Sequence, residues 1–273
     1  MALDGSAPRA GSLQALRSEW VKLRTVRSSY WSLLLLVGIS VLLTTLLTWG
    51  SSTQGGSPGH PGDNDIVLDS LAGIFFGQIA VAVLAVLVIT SEYSTGLIRT
   101  TFAANPRRRA VLAAKTAVVA GVVLVVGLAA AAACFQVGQI VLHRGGFTYE
   151  NGYPAVTLAD HEAARAVVLS GVYLGLVAVF SLGIGAILRH TAGAITVVLA
   201  VLLAPVIAAG FLPEHLARPV EKFSLMGAGL AVQQTVDRPD NIPLSPLGGV
   251  LVIAGYAAVA MLVALWAIGR RDA

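Results

Sequence analysis

The stretch AVVLSGVYLGLVAVFSLGIGAILRHTAGAITVVLAVLLAPVIAAGFL, residues 166–212, is apolar throughout except where Arg189 and His190 interrupt it. A helix needs about 20 residues to cross a hydrocarbon core about 30 Å thick, so one helix of this length would overshoot it far. Two antiparallel spans, 166–188 and 191–212, joined by a tight turn at Arg189-His190, fit instead. In lipid a bare backbone finds no bonding partner, so each span is expected to be helical.

Four more blocks free of Asp, Glu, Lys and Arg reach about the same length: 31–49, 71–89, 116–142 and 247–268. The predicted fold is all-α and polytopic, with a six-span transmembrane region over 31–268. Composition agrees: of 273 residues 56% are hydrophobic and 12% charged, with mean hydropathy +0.80, against about 25% charged in ordinary soluble domains. That leaves no room for a soluble catalytic domain. The single cysteine, Cys134, lies inside a span, where packing is its expected role. The first twenty residues lack the short apolar core of a cleavable signal, so the first apolar run is expected to stay as an anchor.

Basic residues mark the cytoplasmic side when loops are short. Six spans put both termini on one side, and thirteen of the eighteen Lys and Arg residues fall there; ten of the fourteen acids fall opposite. Both termini are therefore expected to be cytoplasmic, with 269–273 as a cytoplasmic tail. The net charge of +4 then reflects topology, and nucleic acid is not an expected partner.

Within the cytoplasmic N-terminus, residues 1–30, Leu13, Leu16, Trp20 and Leu23 recur at spacings of three and four among basic residues. This pattern predicts an amphipathic helix at the membrane interface, in contact with lipid, with an ordinary positively charged flank as the alternative.

The loop over 90–110, within TSEYSTGLIRTTFAANPRRR, is longer than a plain connection needs. A helix over 95–104 would place Leu97, Ile98, Thr101 and Phe102 on one face with Arg99 across from it, and Asn105-Pro106 would end it. Glu92 would lie near its positive N-terminal end. Such a helix suits a groove on a partner protein, or rests on lipid headgroups with Arg107, Arg108 and Arg109 as topological markers.

Three pieces, SEWVKLRTVRSSYW before the first span, SEYSTGLIRTTFAANPRRR after the second and RRDA after the sixth, resemble the ABC type-2 permeases, particularly the small six-span exporter subunits common in actinobacteria. The resemblance implies a connecting helix at the membrane surface and a coupling helix that docks on a separate ATP-binding subunit. By it, Glu92, Tyr93, Gly96, Arg99, Pro106, Arg107, Arg108 and Arg109 belong to the docking region, where the patterned face adds Leu97, Ile98 and Phe102. It also implies a homodimer, or a heterodimer with a second permease, in a bacterial plasma membrane. No cofactor is expected in this chain; ATP and Mg belong on the partner subunit. The activity implied is multidrug or antibiotic efflux, the export of a hydrophobic or amphipathic substrate.

The chain has no G-x-x-x-x-G-K-[ST], so a partner must bind any ATP. HEAAR, residues 161–165, has Arg165 where a zinc protease motif needs its second histidine, and no metal site is expected. With no charged side chain inside the spans as drawn, ion-driven carriage and intramembrane catalysis are disfavoured. Thr44, Thr48, Gln78, Gln136 and Gln139 remain at depth, where they either line a pathway or bond helix to helix. Gly171, Gly175, Ser181 and Gly185 allow close helix approach, within or between subunits, and Pro205 should kink the fifth span. The external segment 213–246 is expected to hold a re-entrant or interfacial helix, and the Gly-, Ser- and Pro-rich residues 50–65 a flexible loop without chemistry. The sequence thus points to the membrane subunit of an ATP-driven exporter. A non-transporting anchor or sensor that recruits a cytoplasmic partner, and a membrane-bound enzyme, are the rivals.

Overall fold

The computed structural model describes residues 12–25, 27–53, 65–97, 108–151, 153, 155–236 and 244–270, and all regular structure among them is helical. The elements are α1 (Ser12–Thr25), α2 (Arg27–Thr53), α3 (Ile66–Ser70), α4 (Ile74–Ser94), α5 (Arg108–Arg144), a short 3-10 turn (Tyr149–Asn151), α6 (His161–Leu188), α7 (Thr191–Ala209), α8 (Glu214–Phe223), α9 (Leu225–Gln233) and α10 (Pro246–Arg270). Six of these, α2, α4, α5, α6, α7 and α10, are long and apolar enough to cross a membrane. The protein is a multi-pass membrane protein.

The six expected spans all exist, but their boundaries move: α2 is longer at both ends, α6 starts at His161 and takes in Glu162 and Arg165, α7 ends at Ala209, and two further shifts bear on the loop. The third helix starts at Arg108, well before residue 116, and so takes in Arg109 and Lys115. The second runs on to Ser94 and takes in Glu92 and Tyr93, residues expected in the loop. A charge-free window ends a span at its first charge, whereas a helix continues through a charge that has a partner or reaches the headgroups. The turn at Arg189-His190 forms as expected. Arg189 adopts the left-handed conformation (φ 56°) that caps α6, and the His190 ring accepts the Gly193 N–H at the start of α7.

Long helices alternate in direction, so one end of the bundle gathers α1, the C-terminus of α4, the N-terminus of α5, the α6–α7 turn and the C-terminus of α10. This is the α1 end; α3, α8 and α9 lie toward the other. The most buried long helix is α6, packed against α4, α5, α7 and α10. Its small residues make that possible: a Cβ on Gly171 would lie 3.1 Å from the Leu128 backbone of α5, and one on Gly185 would lie 2.6 Å from Ile89 of α4. These glycine contacts are within one chain. Pro205 sits inside α7, where it can donate no backbone bond.

Candidate functional site: a buried ionic junction at the α1 end

Four charged side chains from three elements meet at the α1 end. Glu19 and Lys22 lie one turn apart on α1, with Glu19 Oε1 2.8 Å from Lys22 Nζ. Glu92 is in the last turn of α4, where the negative end of the helix dipole disfavours a carboxylate. Lys115, two turns into α5, offsets that with a contact of 2.8 Å to Glu92 Oε1, and it also donates to Glu19 Oε2. Lys22 closes the ring at 3.1 Å from Glu92 Oε1. Two acids and two bases leave the ring neutral.

Burial makes the arrangement consequential. Lys115 is 2% exposed, Glu19 3% and Glu92 7%, so each charge depends on its partners to offset lost hydration. Among the described residues Glu92 Oε2 has no hydrogen-bond partner. The Lys22 side chain is 41% exposed. Partial burial alone would lower its pKa, but hydrogen bonds and attraction from Glu19 and Glu92 outweigh that and hold it above the ordinary value of 10.5.

Neighbouring contacts extend the junction to the rest of this end. The Tyr93 ring lies under the Arg189 guanidinium, 5.2 Å from its centroid. One helical turn earlier on α4, the Thr90 hydroxyl accepts from Thr191 of α7 at 2.9 Å. Gly269, near the end of α10, faces the Arg109 side chain. Thus α1, α4, α5 and the α6–α7 turn are joined around the two helix ends that frame the loop.

Among the residues expected at a docking site, Glu92 and Tyr93 therefore lie inside helix-to-helix contacts. Gly96 ends the turn after α4 at φ 72°, and Leu97 is exposed. Arg108 is half-buried and Arg109 exposed at the start of α5. The helix expected to start at Thr95 does not do so, because Thr95 caps the end of α4 and Gly96 takes a left-handed φ; Ile98, Arg99, Phe102, Pro106 and Arg107, with the remainder of that expected helix from residue 98, lie outside the described residues. On α1, Leu16 is half-buried and Trp20 exposed; Leu13 and Leu23 fall within the helix, but their side chains lie outside the described residues.

Of the polar residues expected at depth, Thr44 accepts the Gly73 N–H at 3.0 Å and Thr48 bonds to its own helix. Gln78 accepts the Tyr173 hydroxyl, and Gln139 donates to Ser70 at 3.2 Å. Thr44, Gln78 and Gln139 thus bond one element to another, Thr48 bonds only within α2, and Gln136 is exposed. Sequence reading missed Glu19, Lys22 and Lys115. Their signal was faint: Glu19 and Lys22 are three apart on a helix, and Glu92 and Lys115 are the innermost acid and base beside their spans.

Opposite the junction, Asp65 is buried although the sequence placed it in a flexible loop without chemistry; Gly50–Thr53 likewise belong to α2. Its carboxylate caps α3 through Leu68 N–H at 3.0 Å. It also accepts Thr235 N–H and hydroxyl, both at 2.7 Å, and Val236 N–H at 3.1 Å. Arg165 donates to the Gln234 carbonyl beside it at 2.8 Å. Among the described residues no cluster of three potential metal ligands forms. Compared with known proteins, the chain matches no family and no curated protein.

Proposed function

We propose that this chain is the membrane-spanning permease subunit of an ATP-driven exporter in a bacterial plasma membrane. Both termini face the cytoplasm, and the subunit exports a hydrophobic or amphipathic substrate. ATP and Mg are bound and used by a separate subunit, which docks on the loop over 90–110; two permease chains and two ATP-binding subunits make the working unit. The ionic junction is the observation that carries this reading. It ties both helices that frame the loop to α1, so a push on the loop moves α1, α4 and α5 together, and the Tyr93–Arg189 stack passes the movement to α6 and α7. A loop that served only as a connection would have no need of so many buried charges at its root.

The distribution of charge supports the same source of energy. Among the described residues, Asp, Glu, Lys and Arg of the six long helices sit toward their ends, which argues against an ion pathway through the bundle. The test is transport by the purified chain in liposomes. We expect no concentrative uptake with ATP alone or with a proton gradient, and uptake once a Walker-type ATPase partner is added. A partner unable to hydrolyse ATP should not restore it. Uptake driven by a proton gradient in the isolated chain would overturn the reading. ATPase binding without substrate movement would favour the non-transporting anchor.

A further inference from the structure

We propose that α8 is a lipid-docking helix, lying along the membrane boundary beside the end of α7 with one face in the acyl chains and the other toward phosphate headgroups. The sequence EHLARPVEKF sorts cleanly around a helix: Leu216, Pro219, Val220 and Phe223 fall on one arc, and Glu214, His215, Arg218, Glu221 and Lys222 on the other. None of its residues is buried in the bundle. Ala217, Val220, Glu221 and Lys222 are half-buried, while Leu216, Pro219 and Phe223 are exposed.

What covers the apolar arc follows from where it begins. The exposed flank of α7, with Val197 and Ile207, belongs to a helix apolar enough to span a membrane. Exposed apolar side chains recur beyond it at Phe211, 87% exposed, Leu212, Leu216 and Phe223, while exposed Glu214 and His215 fall on the charged arc of α8. The surface that meets lipid on α7 is thus the surface α8 extends. The charged arc has the chemistry of a headgroup contact: Arg218 is held at 2.6 Å by Glu214, and the Lys222 ammonium lies 5.8 Å from the Phe223 ring centroid, a cation beside an aromatic at an apolar edge.

Two contacts fix this orientation. Tyr256 of α10 donates to the Phe223 carbonyl at 3.1 Å, and Ser224 ends α8 and caps α9 through Gly227 N–H at 2.9 Å. Buried α9 then holds the pair to the bundle, with Gly229 against the Tyr173 ring. The inference rests on the spans alone and is independent of what the protein transports.

The test is nitroxide scanning of the full chain in phosphatidylcholine–phosphatidylglycerol vesicles, with single labelled cysteines at positions 214, 216, 218, 219 and 223. Native Cys134 is buried and leaves the background quiet. Labels replacing Leu216, Pro219 and Phe223 should collide several-fold more with oxygen than with a water-soluble nickel chelate, and labels replacing Glu214 and Arg218 the reverse. Pro219 gives an independent reading if a label at Phe223 disturbs the Tyr256 contact. Equal nickel access at all five positions would put α8 in water, and exclusion of both reagents from the apolar arc would mean that protein covers it; either result overturns the proposal.

Discussion

At the α1 end, parts of the chain far apart in sequence are joined by full charges. At the other end, the segment after α9 is joined to α3 by one carboxylate, Asp65, that takes backbone N–H groups and a hydroxyl. The first arrangement has several members, each buried charge depending on more than one other. In the second, one carboxylate joins α3 to that segment, which Arg165 also meets at the Gln234 carbonyl, and the charge of Asp65 is met by dipoles. A multi-member ionic ring transmits displacement among all its helices, whereas loss of the Asp65 clasp loosens one segment locally. The difference predicts distinct responses to substitution.

The largest effect should come from Lys115→Met. It would leave the Glu19 and Glu92 carboxylates together with only half-exposed Lys22 to offset them, a loss of about 3–5 kcal/mol. Unfolding of the detergent-solubilised protein measures it. Adding Glu92→Gln should recover part of the loss, because one of the stranded charges goes with it. If the double variant is no more stable than Lys115→Met alone, the ring is not the coupled unit described.

Asp65→Asn should act next, and locally. An amide nitrogen would face donors at Thr235 and Val236, at a cost of about 1–3 kcal/mol. A cysteine placed at Thr235 should then label faster while one at Ser18 does not. Equal acceleration at both would erase the contrast between the ends. Smaller still is Gly96→Ala. Its φ of 72° is a conformation that L side chains rarely adopt, and the cost is about 1–2 kcal/mol. The weakest effect expected is Lys22→Ala, at about 0–1 kcal/mol, since solvent screens that ammonium. Because its folded pKa is raised, the contribution of Lys22 is present in full below 10.5 and is lost as pH climbs through the higher folded value. A stability profile in alkali should therefore fall less steeply in Lys22→Ala than in the parent.

The sequence made the spans legible because their signal is local: a charge-free run of sufficient length carries its own meaning. The turn at Arg189-His190 was legible for the same reason. What it hid were pairings between distant positions. Lys115 looked like a topological marker because its partners, Glu92 and Glu19, lie on other elements. Glu19 carries only a faint local signal, since the apolar spacing of Leu16 and Trp20 beside it marks the opposite choice of face, yet Glu19 is buried and Trp20 is exposed. Asp65 shared a loop composition with its glycine- and proline-rich neighbours, and nothing local shows that residues 235 and 236 bond to it. The amphipathic arc of α8 is legible in the sequence, although the α9 segment beside it is more continuously apolar.

The most direct test of the central claim, that the junction carries movement between the loop and the spans, is the charge exchange Glu92→Lys with Lys115→Glu, measured as ATP-driven uptake per ATP hydrolysed in liposomes. Each single reversal should place two like charges together and reduce uptake at least tenfold at equal protein level, while ATP hydrolysis by the partner continues. The exchanged pair should recover a substantial part of the uptake, because opposite charges again meet across α4 and α5. Single reversals that transport as well as the parent at equal protein level would contradict the account.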